Sequence, residues 1–190
     1  MLLPFFYTAV VSENIPVYLV GMMGVGKSTV GARLAVRLGR VFMDTDREVE
    51  RLAGRTIAAI FETEGEAHFR VLEAEVIRTA TAHAAVVALG GGAVAEPGAI
   101  ERLLASGEVV YLMADPGLLI DRIGDPASRP LLAGLDRTAQ IEKLETLLAE
   151  RGPFYQQARI RIDARGTAGE VVDRIVDQLA VCAEEAEEAE

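Results

Sequence analysis

Apolar residues along the chain fall into short unbroken runs separated by longer stretches with helical spacing. The runs at 17–20, 41–43, 85–89, 109–113 and 160–162 predict five strands. Between the first two, residues 27–38 place Val30, Leu34 and Leu38 four apart, the spacing of a helix with one buried face. Further helices are predicted over 46–52, 57–61, 65–83, 97–105, 116–123, 138–151 and 169–181. Strands without polar alternation, separated by helices, indicate a parallel sheet covered on both faces. The fold class is α/β. No repeat or long linker divides the chain, so one domain over 17–181 is expected, with an extension over 1–16 and an acidic tail over 182–190.

Composition narrows the function. Of 190 residues, 51% are apolar and 25% charged, which excludes wholesale disorder and a coiled-coil rod. The net charge is −10, and five glutamates among the last seven residues account for half of it, leaving no basic footprint for a nucleic acid. Only Lys27 and Lys143 are lysines among 19 basic residues. The single Cys182 excludes a disulfide framework and a four-cysteine zinc site, fits a reducing compartment, and reads as a small apolar filler near a helix end. The apolar start, MLLPFFYTAVV, lacks a basic flank and a small-residue cleavage site and contains Pro4, so it does not read as a secretory leader. No run reaches the roughly 20 apolar residues that span a bilayer. A cytoplasmic monomer is expected. His68 and His83 fit no metal-ligand pattern, and Ile57, Ile60 and Phe61 read as core.

The chemistry begins at Gly21-Met22-Met23-Gly24-Val25-Gly26-Lys27-Ser28, a G-x-x-x-x-G-K-S loop between a predicted strand and a predicted helix. The glycines let successive N–H groups converge, and the helix N-terminus adds partial positive charge, so the loop cradles phosphate. ATP is the expected co-substrate, bound by Gly24, Val25, Gly26, Lys27, Ser28 and Thr29. Lys27 can bridge the β- and γ-phosphates, and the Ser28 hydroxyl can ligate Mg2+. The base-reading motif of GTPases is absent, since Asn14 is the only asparagine and Lys143 follows Glu142. No strand ends in the Asp-Glu pair of motor and transport ATPases. A kinase for a small acceptor is the economical reading.

Two acids follow apolar strands. Asp115 precedes Pro116 and reads as a helix cap. Asp44-Thr45-Asp46 offers two carboxylates at the C-terminal end of a strand, the edge where open α/β sheets place ligands. One can serve Mg2+ and the other an acceptor hydroxyl, although Thr45 or Asp46 can equally cap the following helix.

These residues, with Phe69-Arg70, Gly90-Gly91-Gly92, Arg129-Pro130-Leu131-Leu132 and Arg151-Gly152-Pro153-x-Tyr155, stand in an order that resembles shikimate kinases. The resemblance covers about residues 17–179. It implies transfer of the γ-phosphoryl group of ATP to the 3-hydroxyl of shikimate, Mg2+ dependence, and a three-layer P-loop fold with a five-stranded sheet in the order 2-3-1-4-5. It implies Asp44 beside Ser28 at the metal and Asp46 on the reacting hydroxyl. Arg70, Arg151 and the glycines 90, 91 and 92, with Gly91 in contact, fall at the substrate. Arg129 falls on a mobile lid over 123–134, and Arg122 against the adenine. Catalysis falls to Lys27, Asp46 and Arg129.

Planar guanidinium suits bidentate recognition of a carboxylate. On the residues alone, Arg70 serves as well in a helical pair with Glu66 or Glu73, and Arg151 as a charge closing a helix before Gly152-Pro153. Arg122 reads equally as a helix-surface residue, and the glycines as a tight turn. Two departures stand out. Val87-Ala88-Leu89 lacks the hydroxyl that some relatives carry before the glycines, and the two chain ends have no counterpart in the family core. A related gluconate or nucleoside monophosphate kinase, and a non-catalytic paralogue, are the competing readings. The arginine pair with the triple glycine argues against the first, and intact Lys27, Ser28, Asp44, Asp46 and Arg129 against the second.

Overall fold

Strands β1 (Val17–Val20), β2 (Val41–Asp44), β3 (Ala85–Ala88), β4 (Glu108–Met113) and β5 (Ile160–Asp163) pair in parallel in the order β2-β3-β1-β4-β5. The computed structural model describes residues 15–80, 85–124 and 129–188. The expected extension up to Asn14, His83, lid positions 125–128 and the last two residues of the tail lie outside the described residues. In register, Leu19 lies opposite Ala88 on one side and Val110 on the other.

Every residue of β1 and β3 is buried, as unbroken apolar runs require of strands covered on both faces. The edge strands depart from that expectation. Val41 on β2 is 72% exposed, and Arg161 on β5 is exposed between buried Ile160 and Ile162. An edge strand has one neighbour and an incomplete cover, so its burial falls off first.

Helix α1 (Lys27–Leu38) carries the chain from β1 past β3 to β2. Helices α2 (Thr45–Ala53), α3 (Ile57–Ala80), α4 (Ala99–Ser106), α5 (Pro116–Arg122) and α6 (Arg137–Tyr155) belong to connections running the other way across the sheet. Right-handed crossovers therefore put α1 on one face and α3, α4 and α6 on the opposite one. Helix α7 (Ala168–Glu188) packs against α1.

Three boundaries differ from the pattern reading. The helices predicted over 57–61 and 65–83 form one element interrupted at Gly65, whose φ of 81° and ψ of 172° break the helical geometry. Helix α6 continues through Gly152 and Pro153, because fully buried Tyr155 anchors its last turn to the core. Helix α7 runs to Glu188, so Cys182 sits within it and the acidic segment to that point is helical. A short 3-10 turn at Ala93–Ala95, following the glycines, was not anticipated.

The main core joins the sheet to α1, α4, α6 and α7. A second, smaller cluster of Val49, Ile60, Phe69 and Val76 lies between α2 and α3.

Candidate functional site

The loop after β1 is built around close backbone approaches. A Cβ on Gly24 would stand 2.6 Å from the Leu119 carbonyl, and one on Gly21 2.5 Å from that of Leu112. Gly26, at φ 102°, turns the chain into α1 in a left-handed conformation that only glycine adopts readily. The Lys27 ammonium donates to the carbonyls of Gly21 at 2.7 Å and Met22 at 3.1 Å. Burial lowers its pKa to about 8, with Asp46 and Asp44 opposing the shift and Arg129 and Arg151 adding to it.

Strand β2 ends at Asp44, which caps α2: one carboxylate oxygen accepts the N–H groups of Asp46 at 3.1 Å and Arg47 at 3.3 Å. The cap is therefore neither Thr45 nor Asp46, and both are free for other contacts. Likewise Asp115 stands at the N-terminus of α5 without a side-chain capping bond. The second oxygen of Asp44 accepts the Ser28 hydroxyl at 2.5 Å. Thr45 is fully buried and accepts the N–H of Gly90 at 3.0 Å, tying α2 to the glycine turn. Asp46 is half-buried. Burial raises its pKa, Lys27 pulls it back and Asp44 pushes it further up, giving a carboxylate more basic than usual.

Two adjoining clefts of about 470 Å³ each open on these residues. The loop from Gly24 to Thr29 lines the first, together with Arg122, Gly166 and Val171. Arg70, Glu73, Gly90, Gly91, Gly92 and Arg151 line the second. Met23, Ser28, Asp44, Asp46, Gly91 and Arg129 border both. Every site residue expected from the sequence thus borders one cleft or both. Ala88 and Leu89 face the first cleft, which consequently has no hydroxyl at that position.

Arg122 makes three contacts that its helix position did not suggest. Its guanidinium donates to the carbonyls of Val25 at 3.2 Å, Ala164 at 2.9 Å and Gly166 at 3.2 Å, binding the phosphate loop to the segment after β5.

Arg70 forms both of its anticipated helical pairs, with Glu73 at 2.6 Å and Glu66 at 2.7 Å, and still borders the second cleft. Glu73 is only 2% exposed. Its Oε1 has no hydrogen-bond partner, and burial raises its pKa against the pull of Arg70. The glycines were expected to let a ring approach the backbone. Two of them make way for the protein's own side chains instead: a Cβ on Gly90 would run into Glu73 Oε1 and stand 2.8 Å from Asp46 Oδ1, and one on Gly92 would run into Arg70 Nη2 and stand 2.7 Å from its Cζ. Beside Gly91 a Cβ would meet ordinary contacts alone, with Arg151 Nη1 and Met23 N at 3.5 Å and the Gly21 carbonyl at 3.6 Å. Arg151 is buried inside α6, four residues before its end, so the helix-terminus reading of this arginine does not hold.

Sequence reasoning offered Thr45 as a helix cap alone and gave Glu73 and Tyr155 no place in the site. Thr45 had a signal, a hydroxyl between two functional acids. Glu73 appeared only as a partner for Arg70, since an acid on a helix gives no sign of being buried. Among the described residues, no group of three or more acidic, histidine or cysteine side chains gathers as a metal cage, and no helix is long and apolar enough to cross a membrane.

A family model described as shikimate kinase matches residues 23–180. The shikimate kinase of Mycobacterium avium (strain 104) is 49% identical over 164 residues, covering 85% of this chain and 91% of its own length. That of Salinibacter ruber is 45% identical over 177 residues, or 90% of this chain and 87% of its own length. Among solved structures, shikimate kinase from Acinetobacter baumannii in complex with shikimate has a TM-score of 0.84 at 39% identity, over 91% of this chain and 96% of that one. A gluconokinase from Sinorhizobium meliloti 1021 is similar at a TM-score of 0.58 and 19% identity, over 92% and 97% of the two chains, a likeness of fold alone.

Proposed function

This chain belongs to the shikimate kinase family, and from that premise we propose how its residues divide the reaction among them. The enzyme transfers the γ-phosphoryl group of ATP to the 3-hydroxyl of shikimate, giving shikimate 3-phosphate for aromatic amino-acid biosynthesis. The observation that carries the division of labour is the border shared by the two clefts. A phosphoryl group in one and a hydroxyl in the other meet at the border where Met23, Ser28, Asp44, Asp46, Gly91 and Arg129 stand.

In the nucleotide cleft, the N–H groups of the loop from Gly24 to Thr29 hold the phosphates, and Lys27 reaches the γ-phosphate. Arg122 holds the wall beside the base. In the substrate cleft, Arg70 and Arg151 take the carboxylate of shikimate as paired donors. Asp46 accepts a hydrogen bond from the 3-hydroxyl, aligns its oxygen with the phosphorus and receives its proton as the new P–O bond forms and the γ-phosphorus parts from the bridging oxygen, which leaves with ADP. Its raised pKa suits it to that task. Arg129, at the border, balances negative charge on the transferring group and helps to exclude water.

Mg2+ fits the donors present. Ser28 Oγ and Asp44 Oδ2 are hard oxygens 2.5 Å apart, and this ion takes one or two protein oxygens with phosphate and water completing its shell. Ser28 and Asp44 would hold it, and when bound it neutralises charge on the β- and γ-phosphates.

We place the enzyme in the cytoplasm as a monomer, without a nucleic-acid or membrane partner: the net charge is −10, and among the described residues no helix is long and apolar enough to cross a membrane. The test is ADP release at fixed Mg-ATP with shikimate, set against gluconate and nucleoside monophosphates, on wild type and Asp46→Asn. Shikimate alone should support turnover. The variant should lose about 100-fold or more in kcat with ATP binding retained, and unchanged turnover would remove Asp46 from its role.

A further inference from the structure

Tyr155, the last residue of α6, is fully buried and takes part in none of the roles above. Its ring stacks on Tyr111 of β4, with centroids 5.0 Å apart and planes inclined at 23°, which fixes the direction of its hydroxyl. That hydroxyl donates a hydrogen bond to the carbonyl of Gly91, with the Met22 sulfur 3.6 Å away, and its oxygen faces the Arg151 guanidinium as well.

The peptide linking Gly91 to Gly92 has glycine on both sides, so rotation of its plane meets almost no side-chain resistance. In a trans peptide the carbonyl of one residue and the N–H of the next point in opposite directions. Both guanidiniums of the substrate cleft border this peptide. A Cβ on Gly91 would lie 3.5 Å from Arg151 Nη1, and one on Gly92 2.8 Å from Arg70 Nη1. A carbonyl swung to that side would compete with the carboxylate for these donors, whereas an N–H adds a further donor. The turn's own hydrogen bond, from the Ala93 N–H to the Gly90 carbonyl at 3.1 Å, closes across this peptide and tolerates either orientation of its plane, so a contact from outside the turn decides between them.

We propose that Tyr155 is a positioning residue for shikimate, whose hydroxyl holds the Gly91 carbonyl on the buried side so that the Gly92 N–H faces the substrate carboxylate. The inference rests on the assignment of Arg70 and Arg151 to that carboxylate. Burial raises the pKa of the phenol, so the proton that makes the bond is retained at neutral pH.

The test compares shikimate with its carboxamide, in which a neutral amide replaces the carboxylate, on the full chain carrying Tyr155→Phe. The KM for shikimate should rise about tenfold, the size of one hydrogen bond to a charged group. The KM for ATP and kcat should stay within about twofold, as for loss of uniform binding, and the carboxamide should be little affected. An unchanged shikimate KM, or equal losses for shikimate and carboxamide, would overturn the inference. Thermal unfolding runs alongside, and a loss of ATP affinity in step with the melting temperature would also overturn it. 4-Aminophenylalanine at 155 keeps an N–H donor in place and should hold the shikimate KM near that of wild type; a rise as large as with phenylalanine counts against the proposal. Wild-type enzyme that does not discriminate the two substrates overturns the arginine assignment itself, which separates the two failures.

Discussion

Replacing Gly92 with alanine tests whether Arg70 is held where it stands. The backbone at Gly92 has φ −100° and ψ −8°, which alanine adopts without strain, so the substitution acts through its methyl group alone. That methyl would stand 2.7 Å from Arg70 Cζ and 2.8 Å from Nη1, where ordinary contact begins at 3.4 Å. The guanidinium must retreat by about 3.4 − 2.7 = 0.7 Å at Cζ and by more at Nη2, which would stand closer still. It cannot swing away cheaply, because Glu73 at 2.6 Å and Glu66 at 2.7 Å hold it from two sides. A displacement approaching 1 Å in a positioning group costs up to about 100-fold, so the KM for shikimate should rise roughly 10- to 100-fold, or about 1.4–2.8 kcal/mol. Gly92 borders the substrate cleft and not the nucleotide cleft, so the KM for ATP should hold. The assay is coupled ADP release with each substrate varied in turn. On an Arg70→Ala background the added methyl should have almost no further effect, since the groups act as one unit. A shikimate KM within about twofold of wild type, or full additivity in the double variant, would refute the reasoning.

Three further outcomes follow from the same geometry. As pH rises through about 8, kcat/KM for ATP should fall as the free enzyme loses the Lys27 charge, while kcat falls later because bound phosphates hold the proton; a profile flat to pH 10 would count against it. Since unfolded Lys27 keeps its proton to about 10.5, the unfolded chain binds more protons in that window and this group makes stability rise with pH there. Thr45→Val should lower stability by about 1–3 kcal/mol in urea unfolding by stranding the buried Gly90 N–H, and Thr45→Ser should restore most of it. Arg122→Ala should raise the KM for ATP several-fold and leave that for shikimate unchanged, because it frees three carbonyls around the nucleotide cleft.

What the sequence made legible was whatever local spacing controls. Unbroken apolar runs located all five strands, and the glycine-lysine-serine loop declared its chemistry before any fold was known. Asp44 and Asp46 were visible as a pair, and the resemblance alone divided them; that Asp44 also caps α2 was hidden, because it depends on the direction in which β2 delivers the chain. Arg70 shows the same limit differently. Its helical partners were readable from i,i+3 and i,i+4 spacing, whereas the cleft on its other side is made by Gly92, 22 positions away. The uses of Gly90 and Gly92 were equally hidden, because an absent side chain gives no sign of which neighbour fills its space. Pro153 signalled the end of a helix that Tyr155, by packing on β4, holds closed beyond it.

The small cluster of Val49, Ile60, Phe69 and Val76 has one more consequence. These side chains stabilise α2 against α3 without drawing on the main core, to which α3 is fastened further along by Ile77. At roughly 1.5–3 kcal/mol for each buried side chain, such a patch sustains a small cooperative unit of its own. Backbone amides in α2 and α3 should accordingly exchange with solvent by openings that leave the sheet intact, while those of β1 and β3 wait for global unfolding. Shikimate, bound through Arg70 and Arg151 as proposed above, would slow the first process well before it affected the second. The pair of helices that borders the acceptor has its own stability, and the ligand can set it.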